Sequence, residues 1–182
     1  MREVIRVLGS LGIDYMISGS LVSSLQGEPR STHDIDIVID MTRPAVKSLA
    51  AAFPQPEYYL SEESILGAIG SDGMFNLIVV ATGDKVDFWV LTGQPFDISR
   101  FARKRVESVM GMEIPVSSPE DTILMKLRWA QESGGSEKHF TDALRVYEVQ
   151  YKELDTDYME KWANELEIVT MYTKMREDAE VL

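Results

Sequence analysis

Thr32-His33-Asp34-Ile35-Asp36-Ile37-Val38-Ile39-Asp40 decides how the rest of the chain is read. A β-strand turns successive side chains to opposite faces, so residues two apart share one. Read as a strand, this run gives Ile35, Ile37 and Ile39 to a buried face. It sets Asp34 and Asp36 together on the other. Two carboxylates that close repel each other unless positive charge lies between them, and a bound divalent cation supplies it. An exposed acidic strand face is the simpler alternative.

Just upstream, residues 14–18 read as a short strand, Gly19-Ser20 as a turn and 21–26 as a short helix. Glycine lets backbone approach a ligand closely. A helix N-terminus offers free N–H groups and a positive dipole end, which suit a phosphate, and the Ser20 hydroxyl adds a hydrogen bond. Downstream, Lys85-Val86-Asp87-Phe88-Trp89-Val90-Leu91 alternates again. Val86, Phe88 and Val90 form one face; Asp87, Trp89 and Leu91 form the other. A carboxylate there costs free energy unless it is exposed, paired or bound to metal. An edge-strand residue that blocks sticking is the alternative. Should this strand lie beside the first, Asp34, Asp36 and Asp87 converge. Three hard oxygen donors, with vacancies for water and phosphate, make a Mg²⁺ site by ligand type.

The remaining pattern mixes helix and strand, then turns helical. Residues 2–10 suit a helix ended by Gly12, and 27–33 a polar loop with Gly27 and Pro29. A helix over 43–53 carries Pro44 in its first turn, and Ser61 caps another over 62–70. Strands at 74–81 and 85–91 are joined by Thr82-Gly83-Asp84 as a hairpin turn. Residues 97–104 look helical, and 106–116 supply one or two strands. Ser118-Pro119-Glu120-Asp121 is a helix start, followed by Ile123, Leu127 and Ala130 on one face. Past Gly134-Gly135 a second helix carries Phe140, Leu144, Tyr147 and Tyr151 at near-helical spacing. A third begins near Asp155 or Asp157. The expectation is an α+β fold: a small mixed sheet flanked by helices, with a helical C-terminal part. A boundary near residue 117 divides it into 1–117 and 118–182, unless the helices pack on the sheet as one domain.

Composition narrows the class. The chain has 182 residues, enough for one compact domain, and 45% apolar content. No apolar run reaches membrane-spanning length, and the first residues do not read as a signal peptide. Absence of cysteine removes disulfides and thiolate zinc sites, and fits a reducing, cytoplasmic setting. His33 and His139 are the only histidines, with no His-x-x-x-His spacing, so zinc is not expected. His33 should point away from the Asp34 face. A net charge of −12 argues against broad duplex binding. Arg100, Arg103, Lys104 and Arg105 are the best candidate polyanion patch; a solvated helix face or helix C-terminus is the favoured alternative. Trp89, Trp129, Tyr147 and Trp162 read as core, although Trp89 shares the face of Asp87, where a base could stack. Met110, Met112, Met125, Met171 and Met175 read as gap-fillers.

Gly19-Ser20, followed after thirteen residues by Asp34-Ile35-Asp36, with Asp87 on a later strand, resembles the nucleotidyltransferase superfamily of the DNA polymerase β type. Arg30-Ser31-Thr32-His33-Asp34-Ile35-Asp36 and Ser118-Pro119-Glu120-Asp121-Thr122-Ile123-Leu124-Met125-Lys126-Leu127 resemble its AbiEii-like branch. That branch includes toxins of toxin–antitoxin systems. The resemblance implies two Mg²⁺ ions bridged by Asp34 and Asp36, with Asp87 on the ion that activates an acceptor hydroxyl. It sets Gly19 and Ser20 on the β and γ phosphates. Lys126 and Asp142 match motif positions on the first two C-terminal helices: Lys126 to contact the triphosphate, Asp142 to position Lys126 or Lys138. Arg30, just ahead of the aspartates, could meet a phosphate; a mobile loop residue is the alternative. The branch often has an arginine and a Lys-Asp pair shortly before the second-helix aspartate. Here Ser136-Glu137-Lys138-His139-Phe140-Thr141-Asp142 leaves only Lys138 and Asp142 as matches.

The implied activity is transfer of a nucleoside monophosphate from a triphosphate to a hydroxyl, releasing pyrophosphate. RNA or tRNA, a protein and a small molecule all stay open as acceptor. In a toxin–antitoxin pair the resemblance favours the toxin side, with an antitoxin as partner. Two alternatives stand. One is a nucleotide-binding or antitoxin-like module without turnover, which loss of a carboxylate would mark; all three are present. The other is an Asp-x-Asp glycosyltransferase. It needs a βαβ nucleotide-binding region ahead of the motif, and the 33 residues there are too few.

Overall fold

The computed structural model describes residues 1–32, 34–109 and 111–181. The readings of His33 and Met110 lie outside the described residues. Two compact units emerge. The first comprises Met1–Ser18 and Thr32–Val116, the second Gly19–Ser31 and Ser117–Leu182.

The first unit is built on a mixed sheet. Its strands are β1 (Tyr15–Ser18), β2 (Ile35–Ile39), β3 (Tyr58–Tyr59), β4 (Met74–Val79), β5 (Lys85–Val90), β6 (Arg105–Val109) and β7 (Met112–Val116). They lie in the order β3-β4-β5-β2-β1-β7-β6. β2 runs antiparallel to β1 and parallel to β5, and β1 runs parallel to β7. The helices of this unit are α1 (Arg2–Ser10), α3 (Val46–Ala52, after a 3₁₀ turn at Arg43–Ala45), α4 (Glu62–Ser71) and α5 (Pro95–Ala102). Ser61 caps α4 by accepting the Ser64 N–H at 3.3 Å. The alternation read from sequence holds: Ile37, Ile39, Val86 and Phe88 are buried together with Phe75 and Leu77 of β4. The Phe75 and Phe88 rings stack 4.9 Å apart.

On the opposite face the same strands change character along their length. Met16 and Val38 are buried against Phe101 of α5, with Leu91 beside them. Two residues along, the register pairs Ser18 with Asp36 and Asp36 with Asp87. The apolar stretch holds the strands in register, and the polar stretch beyond it carries the carboxylates.

The second unit is helical: α2 (Gly19–Gln26), α6 (Pro119–Glu132), α7 (Glu137–Gln150), α8 (Thr156–Glu165) and α9 (Val169–Asp178), with a 3₁₀ turn at Tyr151–Glu153. Gly19-Ser20 is not a separate turn but the start of α2, with Gly19 at φ +71°. Glycine reaches that conformation at no steric cost. Ser118 caps α6, accepting the Asp121 N–H at 3.2 Å. Ile123, Leu127 and Ala130 are fully buried, as their spacing predicts.

The expected apolar stripe on α7 differs. Of Phe140, Leu144, Tyr147 and Tyr151 only Tyr147 is buried; the inward face is Asp142, Ala143, Val146 and Tyr147. Ion pairs to Asp142 turn that side of the helix inward, and small residues fill the tight contact. Among the described residues no helix is long and apolar enough to cross a membrane.

Candidate functional site

In the first unit, pairing across β1, β2, β5 and β4 sets four polar residues in one row: Ser18, Asp36, Asp87 and Asn76. Neighbouring strands run ~4.8 Å apart, so the Asp36 and Asp87 carboxylates share a common reach. Asp87 is buried, at 8% exposure, and both of its oxygens are engaged. The Asn76 Nδ2 donates to Oδ1, and the Lys85 Nζ lies 2.9 Å from Oδ2. Trp89 Nε1 donates to Asp36 Oδ1 at 3.2 Å. Asp34 stands exposed just ahead of β2. The hydrogen bond to Asp87 raises the Lys85 pKa, against a smaller opposing effect of burial. The charges of Asp87, Asp34 and Asp36 raise it further. One ammonium therefore sits in the field of all three carboxylates.

The donor chemistry of this row fits a hard divalent cation: carboxylate oxygens on one face of adjacent strands, with an amide to fix one of them. Lys85 marks the place where positive charge is wanted. Among the described residues, however, no three Asp, Glu, His or Cys side chains are gathered closely enough to hold an ion together.

In the second unit the charge is reversed. Ser20 Oγ accepts from Arg30 Nη2 at 2.8 Å and from Lys126 Nζ at 3.2 Å. The Asp142 carboxylate takes Arg30 in a two-point grip, Nε at 2.8 Å and Nη2 at 2.7 Å, and Lys126 Nζ at 2.7 Å. The Lys126 side chain is 1% exposed and that of Asp142 8%, whereas Arg30 is 30% exposed. Burial pushes the Asp142 carboxyl upward. The hydrogen bonds and charges of Arg30 and Lys126 outweigh it and hold the group below its usual range. Gly19 is buried at the start of α2. Lys138 is exposed in the first turn of α7; the cations that hold Asp142 are Arg30 and Lys126. His139 packs beside Trp129, with ring centroids 5.8 Å apart. Its pKa is lowered by burial first and then by the Lys126 charge, with Asp142 opposing.

The suggested basic patch is largely committed. Arg100 is buried and ion-paired to Asp97 at 2.7 Å. Lys104 pairs with Asp14 at 2.7 Å and lies over the Phe101 ring. Neither Arg103 nor Arg105 is without partners.

Neither a family description nor a curated protein matches the sequence. Solved structures do. The antibiotic-resistance factor ANT(2'')-Ia, in complex with adenylyl-2''-tobramycin, matches with a TM-score of 0.57 at 14% identity, over 95% of this chain and 95% of that one. A candidate nucleotidyltransferase from Thermotoga maritima matches with a TM-score of 0.50 at 20% identity, over 90% of each chain. An antigenic nucleotidyltransferase-like protein from Paracoccidioides brasiliensis gives 0.50 at 18% identity, over 100% of this chain and 93% of that one. The chain has the nucleotidyltransferase fold.

Two residues of the acidic row on this fold escaped the sequence reading. Lys85 lies two positions before Asp87 and shares its face by parity alone. Asn76 is the one polar residue of β4. Parity places Asn76 on a face, but only the pairing register brings it opposite Asp87.

Proposed function

We propose that this chain is a Mg²⁺-dependent nucleotidyltransferase that moves a nucleoside monophosphate from a triphosphate to a hydroxyl acceptor. The observation that carries the reading is Asp36 opposite Asp87 on adjacent parallel strands, beside Asp34. Asp34, Asp36 and Asp87 are the metal-holding carboxylates, for two ions, and Asn76 and Trp89 orient two of them. Bound Mg²⁺ would neutralise phosphate charge and lower the pKa of the attacking hydroxyl. Gly19, Ser20, Arg30 and Lys126 hold phosphate oxygens: a helix start, a hydroxyl and two cations suit that anion. Asp142 is a positioning residue for Arg30 and Lys126; Lys138 is left to a peripheral part. In the transfer the acceptor oxygen bonds to the α-phosphorus and the bond to the bridging oxygen breaks. Pyrophosphate leaves, and Asp87 is the carboxylate suited to take the hydroxyl proton.

A small-molecule or protein hydroxyl is favoured over RNA as acceptor. The net charge is −12, and the Arg100 and Lys104 cations are tied up in ion pairs. ANT(2'')-Ia is seen in complex with adenylyl-2''-tobramycin, so aminoglycosides are the first small molecules to try. On the AbiEii-like reading of the motifs, the chain is a cytoplasmic toxin with an antitoxin partner.

The test is incubation with each α-labelled NTP and Mg²⁺, with an aminoglycoside panel and with fractionated cell extract. The wild-type chain should label one acceptor fraction, and Asp36→Ala should abolish the label. Equal labelling by the two proteins would end the catalytic reading.

A further inference from the structure

Lys85 is used by nothing in the proposed transfer, yet it makes a cationic contact in the acidic row. Its Nζ lies 2.9 Å from Asp87 Oδ2. Asn76 donates to the other oxygen; that neutral amide can stay beside a bound ion, whereas the ammonium carries charge of the ion's own sign. The two side chains differ in freedom. That of Asp87 is 11% exposed and held on both sides by paired strands, whereas that of Lys85 is 40% exposed. A flexible four-carbon stem with access to water can swing away; the strand-bound carboxylate cannot. Lys85 and Asp87 also share one face of β5, so the ammonium approaches from the side on which Asp36 lies.

We infer that Lys85 is a tethered counter-cation for the acidic row: its ammonium holds Asp87 when no divalent ion is bound and leaves Oδ2 when one binds. The inference rests on the metal reading above. Among the described residues no three carboxylates are gathered at ion-holding spacing, so an ion must also draw Asp34 or Asp36 toward Asp87. Lys85 meets one carboxylate, Asp87, whereas Mg²⁺ demands a tight shell of oxygens. An ammonium and a divalent ion on the same oxygen would repel each other strongly. Binding of the ion must therefore break the Lys85–Asp87 contact, and that cost weakens the affinity for metal.

The test is Mn²⁺ binding to the full chain without nucleotide, read by calorimetry, together with melting in EDTA. Lys85→Met keeps the apolar stem and removes the charge. It should bind Mn²⁺ about tenfold more tightly than wild type, the equivalent of one charge-assisted hydrogen bond. In EDTA it should melt below wild type, and saturating Mn²⁺ should close that gap. Lys85→Arg keeps the charge and should bind Mn²⁺ no better than wild type. If Lys85→Met binds Mn²⁺ equally or more weakly while wild type binds it well, Lys85 is a permanent partner and the inference falls alone. If neither protein binds Mn²⁺, both the inference and the metal reading fall.

Discussion

The acidic row of the first unit and the ion cluster of the second are unbalanced in opposite directions. In the first, one half-exposed ammonium pairs with Asp87 and feels the charges of Asp34 and Asp36. In the second, two cations share one buried carboxylate and press a serine hydroxyl between them. Burial differs too. Lys126, Asp142 and Asp87 are all buried, whereas Asp34 is exposed and Asp36 only partly covered. A buried network has to be satisfied for the unit to fold, so its charges are structural. A partly open row keeps an excess of one sign because solvent screens its exposed members. The two regions should therefore respond oppositely when a carboxylate is removed.

Asp142→Ala is the largest expected effect. It leaves Lys126 buried and Arg30 half-buried with their shared anion gone. Breaking a buried pair from one side costs about 3–5 kcal/mol. The shift in urea midpoint at constant slope measures it. A cost under ~1 kcal/mol would mean that water reaches the cluster, and the contrast with the first unit would collapse.

Acid should reproduce part of that loss. The Asp142 carboxyl is depressed below its ordinary value of 3.8, so the unfolded chain takes up this proton at a higher pH than the folded one. The group's stabilisation is complete above about pH 4 and fades as pH falls through the lowered value. Urea unfolding between about pH 5 and 2.5 should show wild type losing stability faster than Asp142→Asn, with the two converging at the acid end.

Gly27→Ala tests how the cluster is assembled. A Cβ at Gly27 would meet the Val146 nitrogen at 2.9 Å, the Arg145 carbonyl carbon at 3.0 Å and the Ser23 oxygen at 3.1 Å. All are backbone atoms, so the end of α2 must move off α7, at a cost of about 1–3 kcal/mol. Asp142 lies one turn before Val146 on α7. The same variant should therefore lower affinity for a triphosphate, measured by calorimetry without metal.

Parity explains what could be read in advance. Alternation in 34–40 and 85–91 identified both aspartate strands and the face each aspartate takes, and the cap at Ser118 announced α6. Register was not legible: nothing local to Asn76 says that it stands opposite Asp87. Long-range pairing was hidden for the same reason. Arg30 meets Asp142 across 112 residues, and Gly19–Ser31 belongs with helices that begin a hundred residues later. Weakly patterned elements were missed. α9 buries only Tyr172 and Met175, and β3 has two residues. Lys85 carried no signal of its own, because a strand's polar face is expected to carry charge.

Asp36→Asn is the smallest expected effect on stability and the sharpest test of the contrast. The new side chain keeps the oxygen that accepts the Trp89 N–H, and its volume is unchanged. Removing the charge ends repulsion with Asp34 and Asp87 and gives up one attraction to Lys85. The balance is neutral or slightly favourable, within ~0.5 kcal/mol of wild type. Nucleotide transfer should nevertheless vanish, because a neutral amide is a poor ligand for a hard cation. Asp142→Ala should unfold easily, and Asp36→Asn should fold normally and do nothing. If Asp36→Asn instead cost more than ~1.5 kcal/mol, the acidic row would be a structural ion network like the other, and its excess negative charge would no longer call for a metal.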